Sequence, residues 1–262
     1  MIAKALILAA GQGKRLLPYT ENRPKCLLPF NGRTVLEWQI AGLAANGVRD
    51  ITVVTGFESG AVDTAIQSRA IPGVKVQTRF NPFFEVADNT GSCFIARDVM
   101  RDGPFVLLNG DTLFHPDLLG AAMSQAKREI TVTIDRKPRY DDDDMKVSCR
   151  DGRLMAIGKH LSEDVANAES IGMLFFSATG GEIFAGAVEQ TLRDPAGLKR
   201  WYLSVIDGLS RDHEVGVASI EGMDWCEIDF PRDMAAANDL TAQFWRDLPS
   251  RNEELALSSR AI

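Results

Sequence analysis

Two glycines, two basic side chains and a strand-end carboxylate supply the most distinctive chemistry in this chain. Gly11 and Gly13 lie in the stretch 8–15, LAAGQGKR, which Arg15 closes, and Lys25 follows ten residues later behind Pro24. Glycine has no Cβ, so the backbone there can take angles and approach distances that a side chain forbids, and successive N–H groups can turn toward phosphate oxygens. Arg15 and Lys25 place fixed positive charge beside such a nest, where a polyphosphate needs it. Gly11 and Gly13 are therefore candidate phosphate contacts. Asp111 closes the string VLLNGD, in which Asn109 and Gly110 follow the apolar run 105–108. A carboxylate in that position can bind a hard cation such as Mg²⁺, and it can equally begin a turn or cap a helix.

The elements that position these residues follow from periodicity. Residues 2–8 form an apolar run broken only by Lys4, as expected for a buried parallel strand. Residues 34–46 carry apolar side chains at helical spacing, with Gly47 placed to end the helix, and 51–56 read as a β-branched strand. A second helix is expected over 58–69 and further strands over 74–79 and 105–108. This βαβαβ order predicts an α/β fold: a doubly wound, mostly parallel, Rossmann-like sheet flanked by helices, with ligands beyond the carboxyl ends of its strands. Short strands expected at 130–135, 145–149, 154–157 and 171–176 extend it into a mixed sheet, making 1–248 a single domain. The tail 249–262 is short and polar, suited to fraying or to packing on a neighbouring subunit of a homo-oligomer.

Composition narrows the partners. The formal charge of −7, from 29 basic and 36 acidic residues, argues against a nucleic-acid surface, and 45% apolar residues is ordinary for a globular domain. The apolar start is too short to span a bilayer and runs straight into the glycine loop, so no membrane role is expected. Cys26, Cys93, Cys149 and Cys226 form no Cys-x-x-Cys pair, which suggests neither a zinc site nor a disulfide framework, and favours a reduced, cytoplasmic setting. The histidines at 115, 160 and 213 show no metal-binding spacing, and His115 before Pro116 fits a helix start.

The glycine loop has several possible owners. A P-loop ends in Gly-Lys-Ser/Thr, whereas Gly13-Lys14 is followed by Arg15; a dinucleotide fingerprint needs a third glycine, and position 16 is Leu. With Arg15 and Pro24-Lys25 included, the pattern resembles the signature of the nucleotidyltransferases that join a nucleoside triphosphate to a phosphorylated acceptor, a family that includes sugar-1-phosphate and choline-phosphate enzymes. The resemblance implies that Leu8, Ala9, Ala10, Gly11, Gly13, Arg15, Lys25 and Asp111 bind the nucleotide. It also implies Mg²⁺ as cofactor, with Asp111 as one ligand and Asp229, preferred over Glu227 in WCEID, as the other. Arg15 then serves the departing phosphates and Lys25 the α-phosphate side.

The base and the acceptor are read from residues 81–159. The Gly-Thr-Ala motif of sugar nucleotidyltransferases is absent, and the NP, then N, then S order of 81–96 resembles the choline-phosphate cytidylyltransferase branch and its relatives acting on inositol-1-phosphate or aminoalkyl phosphonates. CTP is the favoured nucleotide on this resemblance, with Asn89 and Ser92 as nucleotide contacts; helix capping is the alternative for Asn89. The acidic run 141–144, then Met-Lys-Val, then Ile-Gly-Lys, also matches that branch and points to Lys146 and Lys159 as acceptor-phosphate ligands. By itself the acidic run reads as a solvated loop; it can also attract a cationic acceptor head. Trp201, Tyr202 and Trp225 are candidates for a cation–π wall around such a head, with Tyr202 taken as an acceptor contact and core packing the alternative for at least two of the three. A sugar-1-phosphate guanylyl-, thymidylyl- or uridylyltransferase is the alternative enzyme, and a catalytically silent nucleotide-binding regulatory subunit the alternative class.

Overall fold

The computed structural model describes residues 2–247. The first half runs β1 (Lys4–Ala9), β2 (Pro29–Phe30), β3 (Arg33–Thr34), α1 (Val35–Ala45), β4 (Asp50–Thr55), α2 (Ser59–Ser68) and β5 (Lys75–Phe80). It continues through α3 (Asn89–Ile95), α4 (Arg97–Arg101), β6 (Phe105–Asn109), β7 (Thr112–Phe114), α5 (Pro116–Gln125) and β8 (Ile130–Asp135). The second half holds β9 (Lys146–Arg150), β10 (Arg153–Ile157), β11 (Ala168–Phe176), α6 (Ala178–Leu192), α7 (Tyr202–Asp212), β12 (Val215–Ser219), β13 (Trp225–Glu227) and α8 (Asp233–Asp247). The expected strands and helices of the first half are present with ends shifted by a residue or two. The tail 249–262 lies outside the described residues.

Nine strands form one sheet in the order β5-β4-β1-β6-β11-β8-β12-β10-β9. The β5-β4-β1-β6 half is parallel, as the βαβαβ pattern predicts, while β11 runs antiparallel between β6 and β8 and makes the sheet mixed. Winding reverses at β1: the chain moves outward to β4 and β5, then returns to place β6 on β1's other side. Ligand sites of open α/β sheets form at such a switch point, beyond the strands' carboxyl ends.

Burial on both faces explains why β1 reads as a continuous apolar run. Leu6 and Leu8 enter a core with Phe105, Leu107, Phe176 and Phe184, while Ala5, Ile7 and Ala9 enter the opposite core with Leu36, Ile40, Val53 and Leu108. The helix over the second face starts from a capping box: Glu37 N–H donates to Thr34 Oγ1 at 3.2 Å, and Thr34 N–H donates to Glu37 Oε2 at 2.6 Å. Gly47, with φ 82, follows its last turn. His115 caps the start of α5, accepting from Asp117 N–H at 3.2 Å.

A third, smaller core lies at the end of the sheet. Leu16, Leu28, Phe30, Trp38, Leu113, Ile228, Leu240 and Phe244 pack together there, where β13 pairs antiparallel with β7 and α8 lies against them. Its members are sequence neighbours of the charged residues: Leu16 follows Arg15, Leu113 lies two residues beyond Asp111, and Ile228 precedes Asp229. Burying each such side chain contributes about 1.5–3 kcal/mol. The same burial brings charges from remote parts of the chain together.

Candidate active site

The glycine loop leaves β1 and turns at Gly13, whose φ 76 and ψ 53 lie in the left-handed region that glycine tolerates. A Cβ there would stand 3.1 Å from Lys25 Cβ, so the loop packs directly on the lysine stem. Thr20, fully buried, donates its hydroxyl to Gly13 O at 2.8 Å and fixes the turn. Gly11 is exposed, with open space where a Cβ would be. The strand ends meet closely: Gly110 N–H donates to Leu8 O at 2.9 Å, and a Cβ on Gly110 would stand 2.7 Å from that oxygen.

Lys25 is the centre of this arrangement. Its Nζ lies 2.8 Å from Asp111 Oδ2 and 2.5 Å from Asp229 Oδ1, joining chain positions 86 and 204 residues away. Burial disfavours the ammonium, but the two carboxylates outweigh it and hold Lys25 above its ordinary value. Burial likewise opposes the Asp229 charge, and Lys25 with Arg15 brings that carboxyl below the usual range. Arg15 Nη1 stands 3.7 Å from Asp229 Oδ2, with its guanidinium 5.2 Å from the Phe230 ring centroid. Glu227 is different: burial, then the charges of Asp111 and Asp229, push its carboxyl up to about 8. Asp229, not Glu227, reaches Lys25.

The donor set suits a hard divalent cation. Asp111 Oδ1 is buried with no hydrogen-bond partner, and Asp229 supplies a second carboxylate beside it. Among the described residues no group of three or more His, Cys, Asp or Glu is arranged to hold a metal. Two carboxylates with substrate phosphates completing the shell is the usual arrangement for Mg²⁺, so the residues fit that ion.

On the other side of the site the acidic run is an exposed loop, as expected, held in a turn by local hydrogen bonds. Asp141 Oδ1 accepts from Asp143 and Asp144 N–H at 2.9 and 3.1 Å, while Asp144 Oδ2 lies 2.8 Å from Lys137 Nζ. Lys137 also pairs with the buried Glu169 at 2.8 Å. This turn presents Asp143 to two cations, Arg15 at 3.4 Å and Lys159 at 3.3 Å. The Lys159 ammonium sits 5.0 Å from the Trp201 ring centroid, and that residue is 40% exposed. Arg15, Lys25, Asp111, Asp229, Asp143 and Lys159 thus form one chain of ion pairs.

Four expected contacts are engaged within the protein. Tyr202 is fully buried in the core of α6 and α7, donating its hydroxyl to Asn109 Oδ1 at 3.1 Å, and its aromatic bulk is core material. Ser92 is 3% exposed and accepts from Asn81 Nδ2 at 3.1 Å. Asn89 Oδ1 accepts from Tyr202 N–H at 2.8 Å, which satisfies the start of α7 instead of capping its own helix. Lys146 is 4% exposed, with its Nζ on Lys159 O at 3.1 Å, so it supports the neighbouring lysine. Trp225 donates to Asp135 at 2.8 Å, which leaves Trp201 as the exposed aromatic of the three. Sequence reasoning missed Gln39, a buried amide on the apolar face of α1; a polar side chain interrupting that face was the available signal.

A parallel switch point that gathers two cations and two carboxylates beside a glycine loop defines a phosphate-handling α/β protein. The chain belongs to the nucleotidyl transferase family, whose pattern matches residues 4–144, more than half of its length. It is 30% identical to CMP-5'-(3-aminopropyl)phosphonate synthase of Streptomyces rubellomurinus over 98% of this chain, and spans 40% of that relative's length. It is 24% identical to CTP:phosphoglutamine cytidylyltransferase of Campylobacter jejuni, over 88% of this chain and 97% of the relative. The fold is shared with the inositol-1-phosphate CTP transferase from T. maritima, with TM-score 0.80, 22% identity and 95% and 98% of the two chains covered.

Proposed function

We propose that this chain is a cytidylyltransferase, moving CMP from CTP onto a small phosphorylated or phosphonate acceptor and releasing pyrophosphate. The observation that carries the reading is Lys25 held between Asp111 and Asp229 with Arg15 alongside, at the end of the glycine loop. A silent nucleotide-binding subunit has no need of all four charges. The names of the relatives support CTP and a small anionic acceptor. No helix among the described residues is long and apolar enough to cross a membrane. We assign the transferase domain to residues 1–248, in a reduced, cytoplasmic setting.

An oxygen of the acceptor phosphate attacks the α-phosphorus of CTP, and the bond to pyrophosphate breaks. The acceptor oxygen is already anionic at neutral pH, so no general base is needed; the task is to align two anions and to neutralise charge as pyrophosphate departs. The backbone of 8–13 receives phosphate oxygens, Lys25 faces the α-phosphate, Arg15 the departing phosphates and Lys159 the acceptor phosphate. Mg²⁺, held by Asp111 and Asp229, supplies further charge neutralisation when bound. A pyrophosphate-release assay should test each of the four triphosphates against phosphocholine, aminoalkylphosphonates, inositol-1-phosphate and hexose-1-phosphates. Turnover with CTP and a non-sugar acceptor is expected. Exclusive use of another triphosphate with a hexose-1-phosphate would establish the sugar-nucleotide alternative, and no turnover with any pair would sink the enzyme reading.

A further inference from the structure

We infer that Gln39 and Tyr202, neither of which reaches the ion-paired residues, are positioning residues for the Asp111 carboxylate. Gln39 is 1% exposed on α1, and its single amide nitrogen donates to two carbonyls, Asn109 O at 2.7 Å and Thr112 O at 2.9 Å. Those two carbonyls bracket Asp111. From the other face, the buried Tyr202 hydroxyl holds the Asn109 side chain at 3.1 Å.

The rest of the turn is fixed just as closely. Gly110 N–H is held by Leu8 O at 2.9 Å, Asp111 O accepts from Ile228 N–H at 3.2 Å, and Thr112 Oγ1 donates to Ile171 O at 3.2 Å. The sheet itself makes room for Asn109. The ladder between β11 and β8 shifts register between Ser170 and Leu174, and within that shift Gly172 takes φ 70. A Cβ on Gly172 would lie 2.3 Å from Asn109 Nδ2, so only glycine admits that side chain.

Two buried atoms show what this pedestal leaves over. Gln39 Oε1 has no partner, so the amide is kept in the core at the cost of an unsatisfied acceptor. Asp111 Oδ1 is buried and equally without a partner, while Oδ2 meets Lys25. Backbone and neighbours on both sides of Asp111 are thus immobilised, and one carboxylate oxygen is left without a hydrogen bond. A carboxylate that holds a cation needs such outer support, and removing it lowers metal affinity or activity by about 10–100-fold.

The inference rests on the proposed cytidylyltransferase reading, and its test separates the two. Gln39→Met keeps the length of the side chain and removes both donors; Tyr202→Phe removes one oxygen atom and carries the test should Gln39→Met fail to fold. Asn46→Leu is the control, because Asn46 on the same helical segment also clamps two carbonyls, Gly42 O and Pro116 O at 2.9 and 2.8 Å, away from Asp111. Pyrophosphate release is measured across Mg²⁺ concentrations, and CTP binding is measured by calorimetry with and without Mg²⁺. For Gln39→Met, half-saturating Mg²⁺ should rise about tenfold or more, with a smaller rise for Tyr202→Phe. Metal-free CTP binding should stay within about threefold of wild type, and Mg²⁺ should tighten CTP binding less than it does in wild type. Asn46→Leu should lose thermal stability alone. Wild-type Mg²⁺ dependence in both Gln39→Met and Tyr202→Phe, or an equal change in Asn46→Leu, would overturn the inference. Inactive wild-type protein would instead overturn the cytidylyltransferase reading.

Discussion

The side of the site that carries Gly13, Lys25 and Asp111 is made of strand ends and tight backbone, whereas the side that carries Asp143, Lys159 and Trp201 is made of long side chains on loops. On the first side, parallel ladders, close glycine contacts and the small core around Leu113 and Ile228 fix each functional group. On the second, Asp143 and Lys159 meet through partly exposed ion pairs, with side-chain exposures of 43% and 24%. Pairs of that kind contribute little to stability and weaken with salt. Under the proposed function, this contrast divides the labour: chemistry common to all acceptors sits on the rigid side and acceptor choice on the adaptable one.

Four substitutions break or sharpen that contrast. The largest effect is expected on the rigid side: Lys25→Ala should lower turnover about 100-fold or more, by analogy with the loss of one charge-stabilising donor. A turnover within a few fold of wild type would remove Lys25 from the mechanism. Ile228→Ala attacks the same side without touching a charge, and should cost about 2–4 kcal/mol in chemical unfolding, with a loss of turnover from the displaced Asp229. Unchanged stability would show that the third core does not hold the site together.

Beneath the acidic turn, burial pushes the Glu169 carboxyl up to about 7 even against Lys137, with Asp144 adding to the rise. A folded-state value above the ordinary 4.5 means that the contribution of this group is fully present at low pH and is lost as pH rises through about 7. Glu169→Gln has no such dependence, so its melting temperature relative to wild type should be higher near pH 8 than near pH 5. A constant difference would contradict the buried carboxyl. The smallest effect belongs to Asp143→Asn, which should change stability by less than about 1 kcal/mol. It should also lower the KM for an anionic substrate a few fold by freeing Arg15 and Lys159, and this gain should fade in high salt. An unchanged KM at low salt would mean that Asp143 does not compete with substrate.

Legibility followed the same division. The glycine loop and Asp111 were readable because apolar runs with glycine and charge at their ends dictate strand-end geometry, and βαβ order puts those ends on one edge; Lys25, on a short helical turn, was readable through the resemblance. Asp229 and Glu227 were harder to separate, because strict alternation gives both the same face. The structure ends β13 at Glu227, and Asp233 then accepts from both Asp229 N–H and Phe230 N–H, at 2.9 and 2.7 Å, turning the chain so that Asp229 points to Lys25. Asn89, Ser92 and Tyr202 read as ligand contacts because polar and aromatic residues near a loop serve scaffold and site alike. Tyr202 finds Asn89 and Asn109 at separations of 113 and 93 residues, and no local pattern shows such pairings. The acidic run is exposed over 141–143, as a solvated loop should be, and only its anchor on Lys137, outside the run, is missing from the local pattern.

The most direct test of the central claim is ³¹P NMR of the purified protein with CTP, Mg²⁺ and an aminoalkylphosphonate. Matched growth of pyrophosphate and of a CMP–phosphonate anhydride signal is expected, with about 100-fold slower growth of both for Lys25→Ala. CTP that remains intact with every phosphate or phosphonate acceptor, or that is hydrolysed without a coupled product, would contradict it.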